Sequence, residues 1–209
     1  MIYLIGGPPK CGKTTLTKLL SKRLSVPWIS ADTLQNIVRA YIPENKHSEV
    51  FPHSAVRGVS NDIYYSQNST DEIVSRYMKQ GEATNDALKM IAASYIADED
   101  NFIVEGYQVH PKIVSEIIDT YGGEHVRSIF IIRTDIEKYV KDIPKSTTPN
   151  DWIVRKTKDP ETFKKIARMV ALYSNQIEYD AKKNKLPVIN MDDEFETNIE
   201  KAIELLTAQ

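Results

Sequence analysis

Eight residues near the start of the chain, Gly7-Pro8-Pro9-Lys10-Cys11-Gly12-Lys13-Thr14, have the types and spacing to hold phosphate. They fit the pattern G-x-x-x-x-G-K-[ST] in full. Gly7 and Gly12 let the backbone curl so that successive N–H groups point inward, Lys13 reaches the β- and γ-phosphates as a point charge, and Thr14 offers its hydroxyl to Mg²⁺. Pro8, Pro9, Lys10, Cys11 and Thr15 complete the set expected to border a bound nucleotide. Composition alone yields such a match in a chain of this length with a probability on the order of one in a hundred. An ordinary Gly/Pro turn is therefore the weaker reading.

A phosphate loop needs a buried strand to launch it and a helix to receive it, because the helix N-terminus supplies unpaired N–H groups and the positive end of a dipole. Ile2-Tyr3-Leu4-Ile5 is a short apolar run suited to a parallel strand, and Leu16, Leu19, Leu20 and Leu24 recur at helical spacing after the loop. Residues 26–30 predict a second strand. Ser30-Ala31-Asp32-Thr33 then opens a helix whose apolar face is Leu34, Ile37, Val38 and Tyr41. Asp32 thus falls at the C-terminal edge of a strand, where ligands bind in open parallel sheets; its other reading is as a helix cap.

Farther along, Ser69-x-x-Glu72 is a capping box that opens helical sequence running to about Ala97 with a break near Gly81. Residues 101–106 predict a third strand ending in Glu105, His110-Pro111 starts a helix, Val126 to Ile132 is a fourth strand, and Thr134-x-x-Glu137 caps the next helix. Asp159-Pro160 begins a long amphipathic helix through Phe163, Ile166, Val170, Tyr173 and Ile177. A fifth strand at 186–189 and a closing helix marked by Phe195, Ile199, Ile203 and Leu206 complete the pattern. Alternating units of this kind predict an α/β fold of three layers, a five-stranded parallel sheet flanked by helices.

At 209 residues the chain fits one domain spanning 1–209. A net charge of −2 creates no global basic field, so nucleic acid is not an expected partner. The chain opens on its first strand without a leader-like segment, and no apolar run approaches membrane-spanning length, which predicts a cytoplasmic protein with no membrane partner. Composition does not address its oligomeric state. The single cysteine, Cys11, leaves no internal disulfide; beside Lys10 and Lys13 at a helix start its thiol pKa could be lowered, although a small residue that fits the loop is the weightier reading. Residues 43–68, with Phe51, Tyr64 and Tyr65 among polar residues, read as an ordered acceptor-side insertion in which His47, His53 and Arg57 could meet a substrate. Residues 144–160, carrying Lys145, Arg155, Lys156 and Lys158, read as a basic lid.

Gly7 to Thr14, the turn Ser30-Ala31-Asp32-Thr33-Leu34 and the strand from Phe102 to Gly106 together resemble the P-loop kinases of small molecules and nucleotides, which have an adenylate-kinase-like fold. The resemblance implies a sheet in the spatial order second, third, first, fourth, fifth, with a lid between the fourth and fifth strands. It also implies ATP and Mg²⁺ as cofactors and a small-molecule acceptor. Two departures set the chain apart from the nucleotide monophosphate kinases. Gln35 stands where they carry an arginine that grips the acceptor phosphate, and Glu105-Gly106-Tyr107-Gln108 stands where they have D-G-F-P-R. A neutral amide cannot replace a bidentate guanidinium, although Arg39, one turn on, could compensate in part.

An acid after the second strand without those arginines looks more like the hydroxyl-directed kinases, such as shikimate kinase, chloramphenicol phosphotransferase, zeta-toxin-type kinases and the 5′-hydroxyl polynucleotide kinases. On that pattern Lys13 stabilises the transferring phosphoryl group, Thr14 ligates Mg²⁺, Asp32 orients or deprotonates the hydroxyl, and Glu105 holds a metal-bound water or the substrate. Arg155 or Arg133 then meets the transition-state charge, and Arg39 and Arg57 border the acceptor. Two rivals stand beside this reading: a nucleoside or nucleotide kinase, and an ATP-binding regulatory protein that transfers nothing.

Overall fold

The computed structural model describes residues 1–56, 58, 60–145 and 151–208. Its frame is a five-stranded parallel sheet in the order β2-β3-β1-β4-β5, built from β1 Ile2–Gly6, β2 Trp28–Ser30, β3 Phe102–Glu105, β4 Val126–Ile132 and β5 Val188–Asn190. Central parallel strands are covered on both faces and so read as continuous apolar runs. Ile2, Leu4 and Ile5 of β1 and Ile129, Phe130, Ile131 and Ile132 of β4 are all buried. The five strands, their parallel sense and their order match expectation.

Two strands begin later than the apolar pattern suggests. Pro27 and Pro187 lend their carbonyls to the N–H groups of Ile103 and Phe130 but have no N–H to return, so β2 starts at Trp28 and β5 at Val188. The register matters more for function. Ile5 pairs with Glu105, and Glu105 with Ser30, so β1, β3 and β2 finish level. The loop after β1, the Glu105 carboxylate and the chain after Ser30 are thereby set in one row.

Helices α1 Lys13–Leu24 and α2 Ala31–Tyr41 follow β1 and β2. Within 43–68 the described residues include a 3₁₀ turn at Glu44–Lys46 and the short helices α3 His47–Val50, α4 Pro52–Val56 and α5 Asn61–Gln67. Then α6 Thr70–Glu82 and α7 Asn85–Ala97 lead to β3, and α8 Pro111–Tyr121 leads to β4. Between β4 and β5 lie α9 Ile136–Asp142, α10 Trp152–Lys156 and the long α11 Pro160–Lys183, and α12 Phe195–Thr207 follows β5.

The Ser69 capping box is present in both directions, and the break expected near Gly81 falls at Ala83–Thr84. Local details correct the sequence reading at two other points. Asp135, not Thr134, caps α9, accepting from the Lys138 N–H, while the Thr134 hydroxyl donates to Asp192. In α2 the apolar pattern misleads: Ile37 and Tyr41 are exposed, and the buried face is Ala31, Leu34 and Gln35. That face turns toward β3 because a glutamine there has buried partners, described below.

Candidate active site

The chain leaves β1 and turns through Gly7 (φ 133°), Lys10 (φ 61°) and Gly12 (φ 101°). A Cβ on Gly7 would lie 2.0 Å from the Ile131 carbonyl oxygen, and one on Gly12 would lie 2.7 Å from the Phe195 ring. Both glycines are thus required by backbone angle and by space. α1 opens on Gly12 with no side-chain cap, which leaves its first-turn N–H groups available to an anion. Lys13 is buried, and its ammonium donates to the Pro8 carbonyl at 2.6 Å, folded over the loop it belongs to.

A cavity of about 950 Å³ opens at the C-terminal edge of the sheet, bordered by the loop, Asp32, Glu105 and Arg133. The Thr14 hydroxyl donates to Glu105 Oε1 at 3.1 Å. Burial raises the Glu105 carboxyl above the usual carboxylate range, a shift opposed by the Lys13 charge and the Thr14 hydrogen bond. The hydroxyl and the carboxylate are oxygen ligands that fit a hydrated Mg²⁺, and the N–H groups at the start of α1 suit the nucleotide phosphates that would carry it. Asp32 is exposed to the cavity. It is not the helix cap, since Ser30 Oγ accepts the Asp32 N–H, and its Oδ1 instead accepts from Gln108 Nε2 at 2.9 Å.

Behind Asp32 stands a neutral hydrogen-bonded cluster. Gln35 Oε1 accepts from the Tyr107 hydroxyl (2.7 Å), Gln108 Nε2 (3.2 Å) and Gln80 Nε2 (3.4 Å), and Gln80 also donates to the Tyr107 oxygen (2.8 Å). Tyr77 stacks on His53 with ring centroids 3.8 Å apart. Of the two histidines read as able to meet a substrate, His53 is buried and borders the cavity, whereas His47 donates to the Ile42 carbonyl.

On the opposite side Arg133 donates to Asp142 (2.8 Å) and Asp192 (3.2 Å), which together hold its pKa up against burial. Its guanidinium also lies over the Tyr139 ring. Asp192 gathers three more hydrogen bonds, from the Thr134 N–H and hydroxyl and the Asp135 N–H, and its pKa is lowered despite partial burial. Lys10 forms an ion pair with Asp151, which caps α10. Asn61 of α5 donates to Thr157 Oγ1, and the Lys158 and Asp159 N–H groups donate to Asp62. The described part of 144–160 is thereby tied both to the loop and to the insertion.

The fold therefore brings Pro9, Lys10, Gly12, Lys13, Thr14, Thr15, Asp32, Glu105 and Arg133 around one cavity. Gly7, Pro8 and Cys11 are buried just beneath it. Arg39 sits over the Phe51 ring and Arg155 is exposed on α10, and neither borders the cavity; Arg57 and residues 146–150 lie outside the described residues. The sequence reading did not find Gln80, Tyr107 or Asp151 as cavity residues, nor Asp192, which holds Arg133 from outside the lining. For Gln80 and Tyr107 the one signal was indirect: Gln35, which accepts from both, stands where the nucleotide monophosphate kinases carry an arginine.

Cys11 contradicts the expectation of a lowered thiol pKa. It is buried against the Pro9 carbonyl, and loss of solvent pushes it up to about 12, outweighing the attraction of Lys13 and Arg133. At neutral pH such a thiol is ionised about a thousandfold less than an ordinary one. Iodoacetamide labelling of the native protein is expected to run orders of magnitude slower than labelling in denaturant, and MgATP slows it further by closing the loop on phosphate. Native labelling at the denatured rate would place the thiol outside the loop core.

No protein-family model and no curated relative matches the sequence. Among solved structures the chain is similar to shikimate kinase from Bacteroides thetaiotaomicron, at 15% identity and a TM-score of 0.51 over 98% of this chain and 94% of that one. It also aligns with a gluconokinase from Sinorhizobium meliloti 1021 (10% identity, TM-score 0.48, 98% and 90% covered) and a deoxyadenosine kinase from M. mycoides (15%, 0.44, 98% and 96%). The chain has a P-loop kinase-like fold. At these identities the likeness is one of fold, and the site residues are read from this chain alone. No helix among the described residues is long and apolar enough to cross a membrane.

Proposed function

We propose that the protein is an ATP- and Mg²⁺-dependent phosphotransferase that moves the γ-phosphate to a hydroxyl of a small molecule. The observation that carries this reading is the convergence of Lys13, Thr14, Glu105 and Asp32 on one cavity at the sheet edge. The loop N–H groups and Lys13 hold the β- and γ-phosphates, Thr14 and Glu105 hold the metal and its water, and Mg²⁺ when bound offsets the phosphate charge. Asp32 aligns the acceptor hydroxyl. The hydroxyl oxygen bonds to the γ-phosphorus as the bond to the β-phosphate oxygen breaks, its proton passes to Asp32, and ADP leaves.

The test is ADP release with and without a pool of hydroxyl compounds. A phosphotransferase shows release stimulated by an acceptor. Release that ignores the pool points to hydrolysis, and tight MgATP binding with no release points to a regulatory nucleotide-binding protein.

Glu105 offers a second check. Its raised pKa means that folding favours the protonated form, so this contribution to stability is lost as pH rises from the unfolded carboxylate pKa through the raised folded one. Glu105→Gln is therefore expected to raise the apoprotein thermal midpoint by a few degrees at neutral pH. The same change lowers turnover and weakens the apparent Mg²⁺ affinity. A variant that is less stable and retains full Mg²⁺ affinity would remove Glu105 from the metal site.

A further inference from the structure

The cavity has two unlike halves. Its cations, Lys10, Lys13, Lys18 and Arg133, come from the loop, α1 and the end of β4. The wall formed by β2, β3, α2, α4 and α6 contributes no lysine or arginine among the described residues. That wall carries two carboxylates, Asp32 and Glu105, the amides of Gln35, Asn36 and Gln80, Ser30 and Ser54, the His53 imidazole, the Tyr107 hydroxyl and the Trp28 and Tyr77 rings.

The hydrogen bonds fix what this wall can offer. Gln35 Oε1 already accepts from three donors, so the Gln35 amide presents its NH₂ group to the cavity as a donor. Tyr107 donates to Gln35 and accepts from Gln80, and Gln80 Oε1 accepts the Ser54 N–H, so both are committed to holding Gln35 in place. Gln108 holds Oδ1 of Asp32, which leaves the other carboxylate oxygen to receive a proton donor. The wall therefore provides a neutral donor and an anionic acceptor side by side, flanked by the half-buried Trp28 and the Tyr77 ring.

A hydroxyl-bearing carbon skeleton matches this set. One hydroxyl donates to Asp32, a neighbour accepts from Gln35, and the C–H faces pack on the rings. A carboxylate or phosphate does not match, because it meets the Asp32 carboxylate and a neutral amide where a guanidinium fork is needed. Resting on the phosphotransfer reading, we infer that the acceptor is an uncharged polyhydroxyl compound, a sugar, cyclitol or nucleoside, and that anionic acceptors are rejected by the β2–β3 wall.

The test uses the full chain with matched pairs: glucose with glucuronate, inositol with quinate, and uridine and adenosine with their 5′-monophosphates. Phosphorylated product is measured by mass spectrometry with MgATP, and binding is measured by titration without nucleotide. A neutral member is expected to be bound and phosphorylated with kcat/KM about 100-fold or more above its anionic partner. The sugar, cyclitol and nucleoside arms identify which skeleton is used. An anionic partner that equals or exceeds its neutral analogue, or a failure of every neutral compound to bind, overturns the inference. Binding of a neutral compound without any phosphorylated product supports the inference while removing the phosphotransfer reading. Gln35→Leu is expected to raise KM for the preferred neutral acceptor about tenfold with MgATP affinity unchanged, and the wild-type series decides the question if that variant does not fold.

Discussion

Replacing Lys13 by methionine or alanine is expected to lower phosphoryl transfer by about a thousandfold or more, roughly 4 kcal/mol of barrier, and to weaken MgATP binding. Lys13 is the one ammonium that the loop itself buries, and in the free protein it satisfies the Pro8 carbonyl at 2.6 Å. That contact is within reach of the same phosphates the loop N–H groups would hold, so nucleotide binding exchanges a carbonyl for phosphate oxygens at little conformational cost. Methionine keeps most of the buried stem and removes only the charge, which separates loss of catalysis from loss of packing. Turnover within tenfold of wild type in a folded Lys13→Met variant would take the loop out of the mechanism.

The second large effect is expected at Asp32. Asp32→Asn should lower the transfer rate by about 10²- to 10⁴-fold, or about 3 to 5 kcal/mol, with MgATP affinity nearly intact. The structure removes the competing explanation that the residue merely caps α2, because Ser30 does that. Asparagine also retains the Oδ1 that accepts from Gln108, so the cluster behind it survives the change. What remains of a structural effect is the loss of a negative charge in the first turn of a helix, typically 0.3–1 kcal/mol. That is too small to mimic the predicted loss. A fall of less than about tenfold, under roughly 1.4 kcal/mol, would leave Glu105 as the carboxylate to test next.

The sheet was legible in the sequence because its strands are apolar on both faces and its punctuation is strong. Gly7 to Thr14 could be placed at the end of β1, and Asp32 and Glu105 at the ends of β2 and β3, from local pattern alone. Residues acting through distant partners were not legible. Gln35 belongs to a helix whose apolar spacing pointed to Ile37 and Tyr41, and its burial is decided by Tyr107, Gln108 and Gln80, separated from it by 72, 73 and 45 positions. The lowered-pKa reading of Cys11 fails for the same reason: its neighbours in sequence are cations, but its surroundings in space are a dry interior. That Asp142 and Asp192 hold Arg133 at the cavity, from 9 and 59 positions away, was illegible for the same reason.

The central claim is that this cavity joins the γ-phosphate of ATP to a hydroxyl oxygen, and ³¹P NMR of the wild-type protein with MgATP and a pool of hydroxyl compounds tests it most directly. The account predicts loss of the ATP γ resonance with equal gain of ADP and of a phosphomonoester resonance, all abolished in Lys13→Met. Appearance of inorganic phosphate alone, or unchanged ATP with every acceptor, would contradict it.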